Sequence, residues 1–413
     1  MGLNLNVWLV NISDQLPLED SVQKNRTIFI ANELVKRGHN VLWWSSCFDH
    51  IKKKWLINEE KEILINSNFR IKTIKGSGYK KNISLARFIN NRIISLRFRK
   101  VSKKVQVPDI IITSTPSYDL AYEAVKYAKK NNIPIIIDIR DEWPDLFLTV
   151  FPKKLRRLFR ILLFYEFKIL KKALINSTAI VSMMNSLLEW GLRYAKRTKG
   201  EFDKVFYLGA EKIECNGSEI IKKLDLLKLQ NKFVVCFIGT FVKNNNPQIL
   251  IECAKKLIDK DIIFVLGGDG ELLPIIKENS KNCSNVIFTG WLNKYEICSL
   301  LKNAHLGIIP SPYAREAFPN KTFSYLSHGL PIITSFHGEI KDLLEKYQIG
   351  FYYPPNDVDK LCETILYLYE NKDIYLEMRE NAGKLFELNF NALKIYSDYV
   401  DLIENVYNNF KLR

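Results

Sequence analysis

HLGIIPSPYAREAFPNKTFSYLSHGLPIIT, residues 305–334, reads as strand, loop, helix and strand in succession. The apolar run Leu306-Gly307-Ile308-Ile309 makes a short buried strand, and Pro310 and Pro312 end it because proline cannot donate to a continuing ladder. A polar loop follows. It carries one acid, Glu316, and then Phe318-Pro319-Asn320-Lys321-Thr322, where a proline and small polar residues precede the apolar helix positions Phe323, Leu326 and Leu330. Gly329 and Pro331 stop the helix, and Ile332-Ile333 opens the next strand. In an open α/β sheet, a helix starting just past the carboxyl end of a strand offers free amides and its positive dipole end to an anion, typically a phosphate. Asn320, Lys321 and Thr322 are therefore candidates to hold a phosphorylated ligand, with Glu316 about one helical turn ahead of them.

Position by position, this stretch resembles the donor-binding segment of family-4 retaining glycosyltransferases. That family's pattern is Glu, any residue, Phe, usually Gly, then four residues to a second Glu. Glu316 and Phe318 match, Pro319 replaces the Gly, and Ser324 stands where the family places the Glu that usually grips the ribose. The form Pro-Asn-Lys-x-Phe-x-Tyr-Leu-x-x-Gly-x-Pro is similar to bacterial O-antigen and capsule transferases of the N-acetylfucosamine transferase kind. The resemblance implies an α/β protein of GT-B fold, with two Rossmann-like doubly wound parallel-sheet domains facing across a cleft. It implies a nucleotide-diphosphate sugar, expected to be UDP-linked, as co-substrate, and neither a metal nor another cofactor. The acceptor is expected to be a glycan or a polyprenyl-diphosphate-linked sugar.

Composition agrees with two domains, since 413 residues exceed what one hydrophobic core usually serves. No apolar run reaches the roughly 18 residues needed to span a bilayer, and the start of the chain lacks a signal peptide's basic and apolar regions, so a cytoplasmic location is expected. Seven cysteines without a Cys-x-x-Cys pair fit neither a disulfide framework nor a zinc site and read as reduced core thiols. A formal charge of +16 points to a polyanionic neighbour, whether anionic membrane, nucleic acid or phosphorylated substrate.

Taken in order, the first half reads as strands at 5–10, 40–45, 69–74, 109–113, 134–139, 178–182 and 205–208, and it opens with a β-loop-α-β unit whose helix covers 26–36. Its first loop, 11–25, holds no glycine, which argues against nucleotide binding in this half. Arg37-Gly38-His39, Trp43-Trp44 and Phe48-Asp49-His50 look like the acceptor domain of the same transferase subgroup. A polar linker at 209–217 and a helix near 218–229 lead to a second series of strands at 233–238, 262–266, 286–288, 306–309, 332–333 and 350–352. The chain is then nearly all helix from Asp357. The expected domains are 1–208 and 209–392, and because the final helix returns to the first domain in the resembling family, 393–413 is expected to join 1–208.

Two expected helices of the first half are unusually basic. Between Arg87 and Lys104 there are seven basic residues and no acid, and over 151–172 there are eight against Glu166 alone, both interleaved with apolar side chains. Such helices are either solvated surface faces or lie on anionic lipid. No nucleic-acid module is recognisable, so nucleic acid is not expected as a partner. The expectation is peripheral attachment to the inner face of the cytoplasmic membrane.

Further candidates come from the strand ends. Gly239-Thr240 follows the first strand of the second series, where a small residue lets amides approach a phosphate or simply makes a tight turn. The family usually has an Arg just after this Gly and a Lys some residues later. The Arg is missing, leaving Lys243 and Lys321 as cations for the departing diphosphate, or as solvated loop lysines. Gly267-Gly268-Asp269-Gly270-Glu271 and Thr289-Gly290-Trp291-Leu292 match family turns in order, making Gly268 and Gly270 candidates and putting Trp291 and Leu292 at the nucleobase, unless Trp291 is a core aromatic. Glu316 is the acid expected to accept hydrogen bonds from donor-sugar hydroxyls. Ile139-Arg140-Asp141-Glu142-Trp143-Pro144 resembles the subgroup's Arg-Asp-x-Trp-Pro motif, so Asp141 faces donor sugar or acceptor hydroxyl, or pairs with Arg140. The implied activity is retaining sugar transfer. A sugar-nucleotide 2-epimerase of the same fold and a non-catalytic homologue acting as a binding partner are the alternatives.

Overall fold

The computed structural model describes residues 3–18, 24–82, 84–149, 151–215 and 229–412. The helix expected near 218–229 lies outside the described residues, save for its last position. The chain divides into two compact units, Met1–Tyr207 with Ile395–Arg413, and Leu208–Lys394.

The first unit is built on an eight-stranded sheet in the order Lys204–Val205, Ala179–Ser182, Ile135–Ile139, Ile110–Ser114, Asn6–Val10, Asn40–Ser46, Phe69–Ile74, Glu62–Asn66. All neighbours are parallel except the last pair. The inner strands read as continuous apolar runs because helices cover both faces of a parallel sheet. One face packs Trp8 and Trp44 edge-on at 5.0 Å, with Phe98 of the helix Leu85–Val101 at 5.0 Å from Trp44. The antiparallel edge Glu62–Asn66 and the helices Tyr118–Asn131 and Asn185–Ala195 add to the elements read from sequence. The edge strand alternates exposed and half-buried positions and buries no side chain fully, so it gives little apolar signal.

The second basic stretch is not one helix. It breaks into a 3-10 turn, Lys153–Leu155, and the helices Arg156–Leu162 and Phe164–Ile175, with Leu163 at the junction. Only the last of the three buries side chains, so packing does not hold the earlier pieces in line with it. The helix Ala392–Lys411 ends the described chain. Its Tyr396 ring stacks on Phe29 at 4.8 Å, and Arg37 donates to the Ser397 carbonyl and pairs with Asp401.

The second unit has six parallel strands in the order Val286–Gly290, Ile262–Gly267, Phe233–Ile238, Leu306–Ile309, Ile332–Thr334, Gly350–Tyr352. Numbered along the chain this is 3-2-1-4-5-6, the Rossmann order.

The cysteine expectation needs correction. Cys215 and Cys298 form a disulfide with Cα atoms 6.2 Å apart, while Cys47, Cys236, Cys253, Cys283 and Cys362 are free and buried. The pair lies 83 residues apart in sequence, so tertiary folding brings it together and no local spacing announces it. Among the described residues, no helix is long and apolar enough to cross a membrane, and no cluster of His, Cys, Asp and Glu is arranged to hold a metal.

Candidate functional site

In a doubly wound sheet the ligand crevice lies outside the carboxyl ends of the strands, where strand order reverses. In the second unit that point falls between Phe233–Ile238 and Leu306–Ile309. Gly239 leaves the first strand and the loop to Asn320 leaves the second. Lys321 closes the gap between them. A β-carbon on Gly239 would stand 2.7 Å from Lys321 Nζ, so the glycine is what lets the ammonium lie on the backbone here. The same ammonium is 4.4 Å from the Phe237 ring centre.

Lys321 is half-buried and makes no hydrogen bond or ion pair among the described residues. Burial, helped by the nearby Arg315 charge, brings it down to about 8. Arg315 donates to the Asn244 carbonyl at 3.3 Å, lies 4.7 Å from the Phe336 ring centre, and keeps a buried Nε without a hydrogen-bond partner. Burial holds Arg315 below its ordinary value too. Two desolvated cations without a carboxylate are costly in the free protein, and an anion delivered by a ligand relieves that cost.

The glycine-rich turn has a structural explanation. A β-carbon on Gly268 would fall 1.9 Å from the Gly239 carbonyl oxygen, and one on Gly270 would fall 2.6 Å from that of Phe241. These glycines let two strand-end loops lie on each other, stitched by Gly239 N–H to Gly267 and Phe241 N–H to Asp269, each at 2.9 Å. Leu292 is buried against Gly267. Trp291 is 68% exposed, which rules out a core aromatic. The Thr240 hydroxyl and carbonyl both accept from the Asn245 side-chain amide, and Lys243 stands exposed on the next turn.

The helix after the loop differs from its sequence reading. It covers only Lys321–Leu326, leaving Leu330 in the following turn. The Thr322 and Phe323 amides, expected to face an anion, already donate to the Pro319 and Asn320 carbonyls. Asn320 is exposed and its side chain caps nothing, and Thr322 is buried. Anion attraction at this point therefore falls to the Lys321 ammonium. Phe318 packs at 5.2 Å from Phe323 and 5.9 Å from Phe390, pinning the loop rather than lining an open face. Ser324 is half-buried and sits three residues after Lys321, hence on the same helix face.

Glu316 is exposed yet positioned. Its backbone bridges to His337, and its side chain lies on Gly338, where a β-carbon would meet Oε1 at 2.9 Å. Gly338, at φ 75°, caps the helix Glu339–Tyr347, so the carboxylate sits by a positive helix end.

In the first unit, Arg140 and Asp141 part company, which overturns their pairing. Arg140 binds Asp14 at 2.7 Å and Asp138 at 3.1 Å, and Asp138 also receives the fully buried Arg26 at 2.8 Å. Asp141 accepts instead from Glu142 N–H at 2.9 Å and from the Trp143 side chain. Burial raises it against the opposing pull of that amide and of Arg87. Arg87 is itself buried, 4.0 Å from the Trp143 ring centre and 5.6 Å from that of Tyr79, and the Tyr79 hydroxyl hydrogen-bonds His50 Nδ1. Burial, Arg87 and Lys53 lower His50 to about 4, so its imidazole is neutral near pH 7. The sequence offered no signal for Arg315 or for this use of Arg87. His50 was visible only within the acceptor-domain resemblance.

Two doubly wound parallel-sheet units, the second in Rossmann order, define the GT-B class of glycosyltransferase architecture. Sucrose-phosphate synthase from Thermosynechococcus elongatus superposes with a TM-score of 0.72 at 14% identity, covering 98% of this chain and 99% of that one. Anabaena HepE in complex with UDP gives 0.65 at 14% identity, covering 97% and 99%. Residues 219–385 match the family described as Glycosyl transferases group 1. An Escherichia coli UDP-Gal:alpha-D-GlcNAc-diphosphoundecaprenol alpha-1,3-galactosyltransferase is 28% identical over 202 residues, 46% of this chain and 51% of that protein. The putative teichuronic acid biosynthesis glycosyltransferase TuaH of Bacillus subtilis is 25% identical over 203 residues, again 46% and 51%. The chain thus spans about half the length of the curated relatives it matches. The family match thus falls within the second unit, and homologues of the chain include bacterial polysaccharide glycosyltransferases.

Proposed function

We propose that the protein transfers a sugar, with retention, from a UDP-sugar to a glycan or polyprenyl-diphosphate-linked acceptor in bacterial surface polysaccharide synthesis. The observation that carries this reading is Lys321: a half-buried cation with no carboxylate, held over Phe237 and against Gly239 at the point where strand order reverses. In transfer, the bond from the anomeric carbon to the diphosphate oxygen breaks and its electron pair leaves with the diphosphate. Lys321, with Arg315 beside it, stabilises that charge, and preorganised cations act strongly where water is excluded. The acceptor hydroxyl attacks from the face the diphosphate leaves, and a diphosphate oxygen takes its proton. Glu316 accepts from donor-sugar hydroxyls, and Trp291 offers an exposed ring to the nucleobase. Asp141, Arg87, His50 and Tyr79 form the polar cluster that would receive the acceptor. The choice of UDP rests on relatives whose names or bound ligands include it.

Screening nucleoside diphosphates by thermal shift tests the donor site. UDP at 100 times its dissociation constant adds about 2.7 kcal/mol of stability, and the UDP-sugar should be turned over or slowly hydrolysed. Stabilisation by none of them would remove the donor-site reading, while binding without transfer or hydrolysis would leave a non-catalytic homologue. Ser324→Glu should fold normally and tighten UDP binding, since the position is half-exposed on the Lys321 face. A strongly lowered melting temperature would mean that the position packs instead.

A further inference from the structure

We propose that the first unit docks on an anionic lipid surface through 153–165, a segment that combines exposed apolar side chains with unpaired cations. This goes beyond sugar transfer and does not depend on it. None of the side chains of Lys153–Leu155 or Arg156–Leu162 is buried. Leu155, Leu158, Ile161, Leu162 and Phe164 are each between 45% and 71% exposed, so five large apolar groups face outward within ten residues. Single exposed leucines need no explanation, but a contiguous group marks a surface that something covers.

The charge pattern says what covers it. Over 151–172 eight basic residues face one acid, and that acid, Glu166, is occupied by Arg92. Arg160 reaches Asp145 and Tyr194, and Arg156 donates to the Phe151 carbonyl, so both tie the segment down. Lys153, Lys154 and Arg157 are exposed and make no hydrogen bond or ion pair among the described residues. A protein partner would have to supply a surface both apolar and almost purely acidic. An anionic bilayer supplies both as a matter of course, headgroup charge outside and acyl chains beneath.

The surface extends to the first basic helix. Arg92 lies 4.8 Å from the Tyr165 ring centre, and exposed Leu85, Ile89 and Leu96 share its stripe of the helix Leu85–Val101. Two short apolar ridges thus meet at the Arg92–Tyr165 contact.

Co-sedimentation of the full chain with mixed phosphatidylglycerol–phosphatidylcholine vesicles, against phosphatidylcholine alone, tests the proposal. Binding should require the anionic lipid and weaken with salt. Two variants separate the forces: Lys153→Glu with Lys154→Glu and Arg157→Glu removes the cations, and Leu158→Ser with Ile161→Ser removes apolar side chains. Each should lower vesicle partitioning roughly tenfold or more, with unchanged melting and unchanged UDP stabilisation, because these residues pack on nothing in the core. Leu158→Trp should blue-shift its emission on anionic vesicles only. The proposal falls if wild type binds neither vesicle, or if all variants sediment like wild type. It also falls if the serine variant only abolishes self-association, which would assign the surface to a second copy of the chain.

Discussion

Lys321→Met is expected to lower the transfer rate roughly 100-fold to 1,000-fold, the effect of removing one preorganised group that stabilises a developing oxyanion. The same variant should melt higher than wild type without ligand, since it removes a half-buried, desolvated cation that no carboxylate balances. UDP should then stabilise it little. The pH dependence has a definite sign. Free Lys321 has been brought from 10.5 to about 8, so the unfolded chain binds the extra proton between these values and stability rises with pH across that window. Bound diphosphate favours the charged form, so UDP affinity holds below about pH 8 and falls above it. Isothermal titration across that range reads this directly. Unaltered UDP affinity in Lys321→Met would remove the lysine from the site and leave Lys243 to answer for the diphosphate.

Glu316→Ala is expected to cost roughly 1.5–3 kcal/mol in transition-state stabilisation, the value of hydrogen bonds to a charged acceptor. Transfer measured at subsaturating donor would fall about tenfold to a hundredfold. The fold should survive, because the carboxylate is exposed and its loss removes only a favourable charge beside the helix at Gly338, about 0.3–1 kcal/mol. Glu316→Gln should recover part of the activity if the group orients hydroxyls, since an amide oxygen still accepts. Wild-type transfer by Glu316→Ala would show that the carboxylate serves only the helix terminus.

Much of the second unit was legible in the chain. Its strands are short apolar runs ended by glycine or proline, and buried parallel strands look like that because both faces are covered. The motif residues near Gly239 and Lys321 could be named from the same pattern. Their roles were less legible. Gly268 and Gly270 read as candidate site glycines because they match a family turn, yet each is required by a carbonyl of the adjoining loop, that of Gly239 or of Phe241. Thr322 and Phe323 read as free amides, yet the turn folds tightly enough to use both. Arg140 and Asp141 are chain neighbours that bond in different directions, because Asp14 and Asp138 already hold the arginine.

The sequence by itself determined that this is a two-unit α/β protein, where the apolar inner strands of both sheets lie, and that its first half carries two basic, apolar stretches. Apolar periodicity, turn residues and charge are local properties, and local properties survive in a linear reading. The tertiary structure alone decided the strand order, the Cys215–Cys298 pairing and the exposure of Leu158 and Ile161. It also decided which of two similar loop lysines is desolvated over an aromatic ring and which is left in water. Burial and partner choice are set by atoms from distant segments, and the energy of a charge depends on that surrounding far more than on its place in the chain.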